Sequence, residues 1–202
     1  MQDIDAPDSP RESDQSLIQR TAAGDREAFA TLYRRHQAAV YRFARLMTGS
    51  SPAAEDVVQE VFLALMNDAA RYDAGRAALT TYLFGMARRV TRRRLLREHR
   101  FVELINGDGA EDVAPNASEV LERSDTLQRL RGAILSLPSR YREVVILCDL
   151  EGVTYETAAA SIGCAIGTIR SRLHRARQLL ATKLRRTDGT CTGARAVMRC
   201  AV

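Results

Sequence analysis

Near the C-terminal end, Gly167 to Arg177 reads GTIRSRLHRAR: five Arg or His side chains, no acid, and an apolar residue at every third or fourth position. Arginine presents a planar fork of donors that matches phosphate oxygens and guanine edges, and Ser and His add shorter donors between the forks. A second cationic stretch, Arg88 to Arg100, holds seven Arg and one Glu, while Arg170 to Arg186 holds six Arg and Lys183 without an acid. The whole chain is only +5, so everything outside these two blocks is acidic. Separated basic blocks on an acidic background are an electrostatic footprint for a polyanion, and the chemistry they suggest is nucleic-acid binding.

Other chemistries find no support. His36, His99 and His174 are scattered and lack acids at useful spacing, and no nucleophile, base and orienting group come together, so the chain does not read as an enzyme. There is no carboxylate cluster for metal ions. Cys148, Cys164, Cys191 and Cys200 show no CxxC and no zinc spacing, and no cofactor is expected. Cys148 lies in an apolar run and Cys164 in a turn; Cys191 and Cys200 fall in a tail, with a redox or metal-sensing role for that pair as the minor alternative. The N-terminus, MQDIDAPDSPRESDQ, is acidic and polar, unlike a signal peptide. No apolar run approaches the roughly 20 residues of a membrane span. No membrane insertion and a cytoplasmic location are therefore expected.

The elements that must position the basic blocks are helices. Of 202 residues 46% are hydrophobic and only 5% aromatic, and the many Ala, Leu and Arg residues are strong helix formers. After a tail over residues 1–15, a first unit spans 16–100. Phe29, Leu32, Tyr33, Val40, Phe43, Ala44 and Met47 recur at helical spacing and define a buried stripe. Gly49 ends that helix; Ser51 is the expected cap of the next and Pro52 its first residue. There Val57, Val58, Val61, Phe62 and Leu65 face inward, leaving Glu55, Asp56, Gln59 and Glu60 as a compact acidic patch. After a polar break over 67–78, a helix from about Thr80 sets Tyr82, Leu83, Met86, Ala87 and Val90 against the core. Its other side carries Arg88, Arg89, Arg92, Arg93, Arg94 and Arg97. Residues 101–125 hold seven acids against one base, with Gly107, Gly109, Pro115 and Asn116, and read as a flexible acidic linker that holds two units apart.

A second helical unit covers 126–186, followed by a tail over 187–202. Pro138 opens a helix that stops by Gly152. Thr154 caps a short helix, Tyr155 to Ile162, Gly163 supplies a left-handed turn, and a last helix starts near Gly167 or Thr168. Two short helices joined by a glycine turn match a helix-turn-helix. On the last helix Ile169, Leu173, Ala176 and Leu180 stack on one side. Arg170, Ser171, His174, Arg175 and Gln178 point the other way, with Thr168 at the entrance and Arg172 and Arg177 on the flanks. A helix laid in the major groove needs this division of anchoring stripe, base-edge donors and flanking cations. The fold class is all-α: two small helical domains, the C-terminal one carrying the helix-turn-helix.

The segment LPSRYREVV…EGVTYETAAASIGCAIGTIRSRLHRAR resembles the fourth conserved region of bacterial sigma factors, specifically the extracytoplasmic-function (ECF) group. GDREAFATLYRRHQAAVYRFARLMTGSSPAAEDVVQEVFLALM is similar to the second conserved region, and TTYLFGMARRVTRRRLLREHR to the segment after it. The resemblance covers about Ser16 to Leu184 in the right order. It implies that Glu55, Asp56, Gln59 and Glu60 meet core RNA polymerase. It gives the arginines of 88–97 to the −10 element of promoter DNA, with the loop 67–78 able to hold one extruded base. The last helix, Thr168 to Gln178, would read the −35 element, and the linker would enter the polymerase's cationic channel. An anti-sigma partner that clamps both domains is implied as well. The alternative from the residues alone is a stand-alone helix-turn-helix regulator acting without polymerase.

Overall fold

The computed structural model describes residues 12–75, 77–106 and 125–187. The first eleven residues of the expected N-terminal tail, the linker over 107–124, and the C-terminal tail with Cys191 and Cys200 lie outside the described residues. The described chain is helical throughout: α1 (Asp14–Ala22), α2 (Arg26–Thr48), α3 (Ser51–Asp68), a 3₁₀ turn (Ala69–Arg71), α4 (Leu79–Asn106), α5 (Asp125–Leu135), α6 (Ser139–Val145), a π turn (Ile146–Leu150), α7 (Tyr155–Ile162) and α8 (Ile166–Thr187).

Caps explain most boundaries. Asp25 accepts from the amides of Glu27 and Ala28 at 2.9 and 3.2 Å, and Thr154 accepts from Thr157 at 3.2 Å, each satisfying donors that a helix start leaves open. Gly49 and Gly163 close α2 and α7 at φ 75° and 73°, where a side chain would be strained. α5 and α8 each take in one residue assigned to the linker or the C-terminal tail, Asp125 and Thr187, α8 starts at Ile166, and three further boundaries differ from the sequence expectation. Ser13 caps α1, and Asp14 bonds Arg35 and His36 at 2.9 and 2.8 Å, so residues 12–15 belong to the first unit and not to a tail. Ser50, not Ser51, caps α3, because its hydroxyl is the one that reaches the Ala53 amide, at 3.3 Å. α4 continues six residues beyond Arg100, to Asn106, into the stretch assigned to the linker.

The predicted stripes are the observed cores. Leu32, Val40, Phe43 and Ala44 of α2 and Val57, Val61 and Leu65 of α3 are fully buried. Phe62 takes Tyr33 edge-on, with ring centroids 4.8 Å apart, and Phe43 meets Phe84 of α4 at 5.7 Å. In the second unit Ile169, Leu173, Ala176 and Leu180 of α8 close over Val144 to Leu147.

The two units are not held apart. α7 lies on α4, and α2 packs against α5, α6 and the π turn, so one core runs through both. The Arg142 guanidinium of α6, almost wholly buried, donates to the Met47 carbonyl at the end of α2 at 2.7 Å and to Leu137 at 3.0 Å. Arg42 grips Glu151 with two bonds of 2.7 and 2.6 Å, and Arg88 pairs with Glu143. Ser161 adds a 3.3 Å bond to the Thr81 carbonyl. A unit of some 60 residues buries only about 60% of its surface alone, so a second apolar face that meets another is an economical solution. Periodicity shows which face of a helix is apolar, not which neighbour covers it.

Phe43→Ala removes a fully buried ring at the centre of this core. The expected loss is about 3–5 kcal/mol of unfolding free energy, measured by urea denaturation of the full chain.

Candidate nucleic-acid interface

α7 stands on the Thr154 cap, turns at Gly163 and delivers α8. Ala158 and Ala159, both buried, let α7 approach its neighbours closely. The buried stripe of α8 fixes its rotation, and Arg170, Ser171, His174, Arg175 and Gln178 all stand exposed on its far side, as the wheel requires. They are linked along the surface: Arg175 donates to Gln178 at 3.2 Å, and the Gln178 amide lies 3.0 Å from His174 Nε2. Ser171 bonds back to the Thr168 carbonyl at 3.1 Å. Thr168 and Arg172 are half-buried flanks. Arg177 is committed within its own unit, gripping Asp149 of the π turn at 3.1 and 2.5 Å. That pair, with Asp149 on one side of α8, raises the Arg177 pKa further and orients the helix against the π turn.

The six arginines of α4 fall into two sets. Arg89, Arg92 and Arg97 are exposed and close no ion pair among the described residues, although Arg92 stands near enough to Glu143 to favour its charged form. With Arg88, Arg93 and Leu96 they line an open groove of about 440 Å³, and Leu96 stands 56% exposed among them. Such a combination of cations and an apolar side chain suits a strand with splayed bases, where phosphates meet charge and a base face meets carbon. The other three arginines are engaged. Arg88 holds Glu143 of the second unit, Arg93 holds Glu60 and Arg94 holds Asp56. Glu143 is nearly buried, and desolvation pushes its carboxyl above the ordinary range against the opposing pull of Arg88.

On α3, Glu55, Asp56, Gln59 and Glu60 are exposed together. Leu63 and Met66 share that exposure, each at 47%. Sequence reasoning left both unassigned, although Gln59, Leu63 and Met66 follow one another at i, i+4 and i+7 along a single face. The patch is therefore acidic at one end and apolar at the other, a composition suited to a protein partner rather than to DNA. Between α3 and α4, Tyr72 donates to the Ala77 carbonyl at 2.9 Å and its ring lies 5.4 Å from that of Tyr82, bracing the loop. Cys148 is half-buried, and burial lifts its thiol to about 11, so it is not a reactive thiolate at neutral pH. Among the described residues no cluster of His, Cys, Asp or Glu has the makings of a metal site.

This arrangement agrees with known proteins. The sigma-70 region 2 family matches residues 32–101 and the sigma-70 region 4 family residues 127–180. The ECF RNA polymerase sigma factor SigE of Mycolicibacterium smegmatis is 36% identical over 79% of this chain, which spans 63% of that relative's length. SigM of Mycobacterium tuberculosis is 34% identical over 85% of each protein. Among solved structures, the sigma factor RpoE of Bartonella quintana, determined with the anti-sigma factor NepR, superposes with a TM-score of 0.66 at 31% identity, over 78% of this chain and 96% of that one. CnrH, determined with the cytosolic domain of CnrY, shares the fold at the same TM-score. The chain belongs to the ECF group of sigma-70 RNA polymerase sigma factors.

Proposed function

We propose that this chain confers promoter selectivity on core RNA polymerase in the cytoplasm, with a division of labour among three helices. The acidic and apolar face of α3 docks on the polymerase through Glu55, Asp56, Gln59 and Glu60, extended by Leu63 and Met66. The arginines of α4 capture the phosphates of the −10 strand. Arg170, Ser171, His174 and Arg175 of α8 read base edges of the −35 element, with Thr168, Arg172 and Gln178 at its margins. Arg177 contributes by steadying α8 on Asp149. No covalent step is assigned to the chain; binding energy does the work. The observation that carries the reading is the ordered pair of sigma regions with their charged faces turned outward.

A stand-alone helix-turn-helix regulator would have no use for an exposed docking face on α3, so that alternative is not favoured. An anti-sigma protein is a further partner, supported by the likeness to RpoE as seen with NepR. Among the described residues no helix is long and apolar enough to cross a membrane.

The geometry adds a requirement. Elements centred near −35 and −10 lie about 25 base pairs apart, or on the order of 85 Å along the duplex. α4 touches α7, and α7 touches α8, which brings the two DNA-facing helices close together. Holding both elements at once would part the units along the seam that carries the Arg42–Glu151, Arg88–Glu143 and Arg142–Met47 contacts.

Transcription in vitro with core polymerase tests the reading: the chain should confer start-site selectivity, and a core enzyme left unselective would end it. Arg170→Ala should weaken use of −35-dependent promoters by roughly 5- to 150-fold, the worth of one bidentate base contact, without loss of polymerase association. Equal output from −35 variants by both proteins would refute that role. Asp56→Arg combined with Gln59→Arg should abolish core binding in a titration while the helical circular dichroism stays intact.

A further inference from the structure

Two of the six α4 arginines are held by two of the four acidic-patch residues of α3. Arg93 pairs with Glu60 and Arg94 with Asp56, joining positions 33 and 38 residues apart in sequence. All four side chains are between one-third and roughly half exposed, so water and a competing partner both reach them. A carboxylate shared with an arginine is partly neutralised toward a basic partner, and the arginine is partly neutralised toward phosphate.

We infer that these two ion pairs couple polymerase docking to DNA capture. This rests on the docking and −10 roles argued above. In the isolated chain Asp56 and Glu60 hold Arg93 and Arg94 out of the DNA-binding set, leaving Arg89, Arg92 and Arg97. A basic surface that takes the two carboxylates breaks both pairs and releases Arg93, which lines the groove, and Arg94, next to it in sequence. Docking therefore turns a three-arginine surface into a five-arginine one, with no change of fold. The coupling is reciprocal: removing the arginines must strengthen docking, just as removing the acids must strengthen DNA binding. It is also modest, because exposed pairs are weak; two of them together set a scale of roughly 2- to 30-fold.

The test uses the full chain without polymerase and a fluorescent single-stranded oligodeoxynucleotide of mixed sequence, titrated at several salt concentrations. Asp56→Asn with Glu60→Gln should bind the oligonucleotide roughly 2- to 30-fold more tightly than the wild type. Its affinity should also fall more steeply with salt, by about 1.4 in the log–log slope for two added phosphate contacts. Glu27→Gln with Glu156→Gln changes net charge equally at exposed carboxylates that hold no arginine, and should leave the slope unchanged. In the second arm, Arg93→Gln with Arg94→Gln should bind core polymerase several-fold more tightly in the absence of DNA.

An unchanged slope for the Asp56/Glu60 variant overturns the coupling, as does an equal gain from the Glu27/Glu156 control, which would reduce the effect to net charge. Unchanged or weaker core affinity in the arginine variant overturns it equally. Failure of the wild type to direct transcription is a separate result and would strike the docking and promoter assignments instead.

Discussion

Seven arginines within thirteen residues make α4 an improbable helix in isolation. Arg88 and Arg92, Arg89 and Arg93, and Arg93 and Arg97 sit one turn apart, and each like-charge pair of that spacing is unfavourable by about 0.2–0.5 kcal/mol. The helix exists because its other face is anchored. Leu83, Phe84, Met86 and Ala87 are buried between α2, α3 and α7. Burial of a single large apolar side chain contributes about 1.5–3 kcal/mol, which outweighs several such repulsions. The cationic face is thus maintained by tertiary packing, and three carboxylates from two different helices draw off part of its charge.

The same balance operates on the seam between the two units. Arg142 is nearly buried, and its guanidinium is tolerated because carbonyl oxygens from both units receive it. Glu143, beside it in sequence, faces Arg88 instead. Consecutive residues of α6 therefore address two helices of the first unit, one through a backbone carbonyl and one through a charge. A seam built this way is specific in register, and its arginines are groups that water and phosphate oxygens also satisfy. That combination favours an interface able to open, in contrast to a purely apolar one.

The helix-turn-helix depends on fewer groups. Thr154, Gly163 and the Ile169, Leu173, Ala176, Leu180 stripe set the position and rotation of α8, while its outer face stands exposed. The surface links among Arg175, Gln178 and His174 are exposed and cost little to break. Arg177 is the exception, since Asp149 makes it part of the scaffold.

Much of this was legible in the residues themselves. Periodicity at 3.6 residues, the Thr154 cap, the left-handed glycines and the two arginine blocks determined the helices, the buried stripes and the nucleic-acid-binding character, because each is a local property that neighbours in sequence enforce. Leu63 and Met66 escaped, since an apolar residue at helical spacing reads as core until a neighbour is seen to be missing. The partnership of Asp56 and Glu60 with Arg94 and Arg93, the capture of Arg88 by Glu143, and the closure of one unit on the other were decided only by the tertiary structure. These are contacts between residues tens of positions apart, and the sign of a charge does not name which opposite charge it will meet.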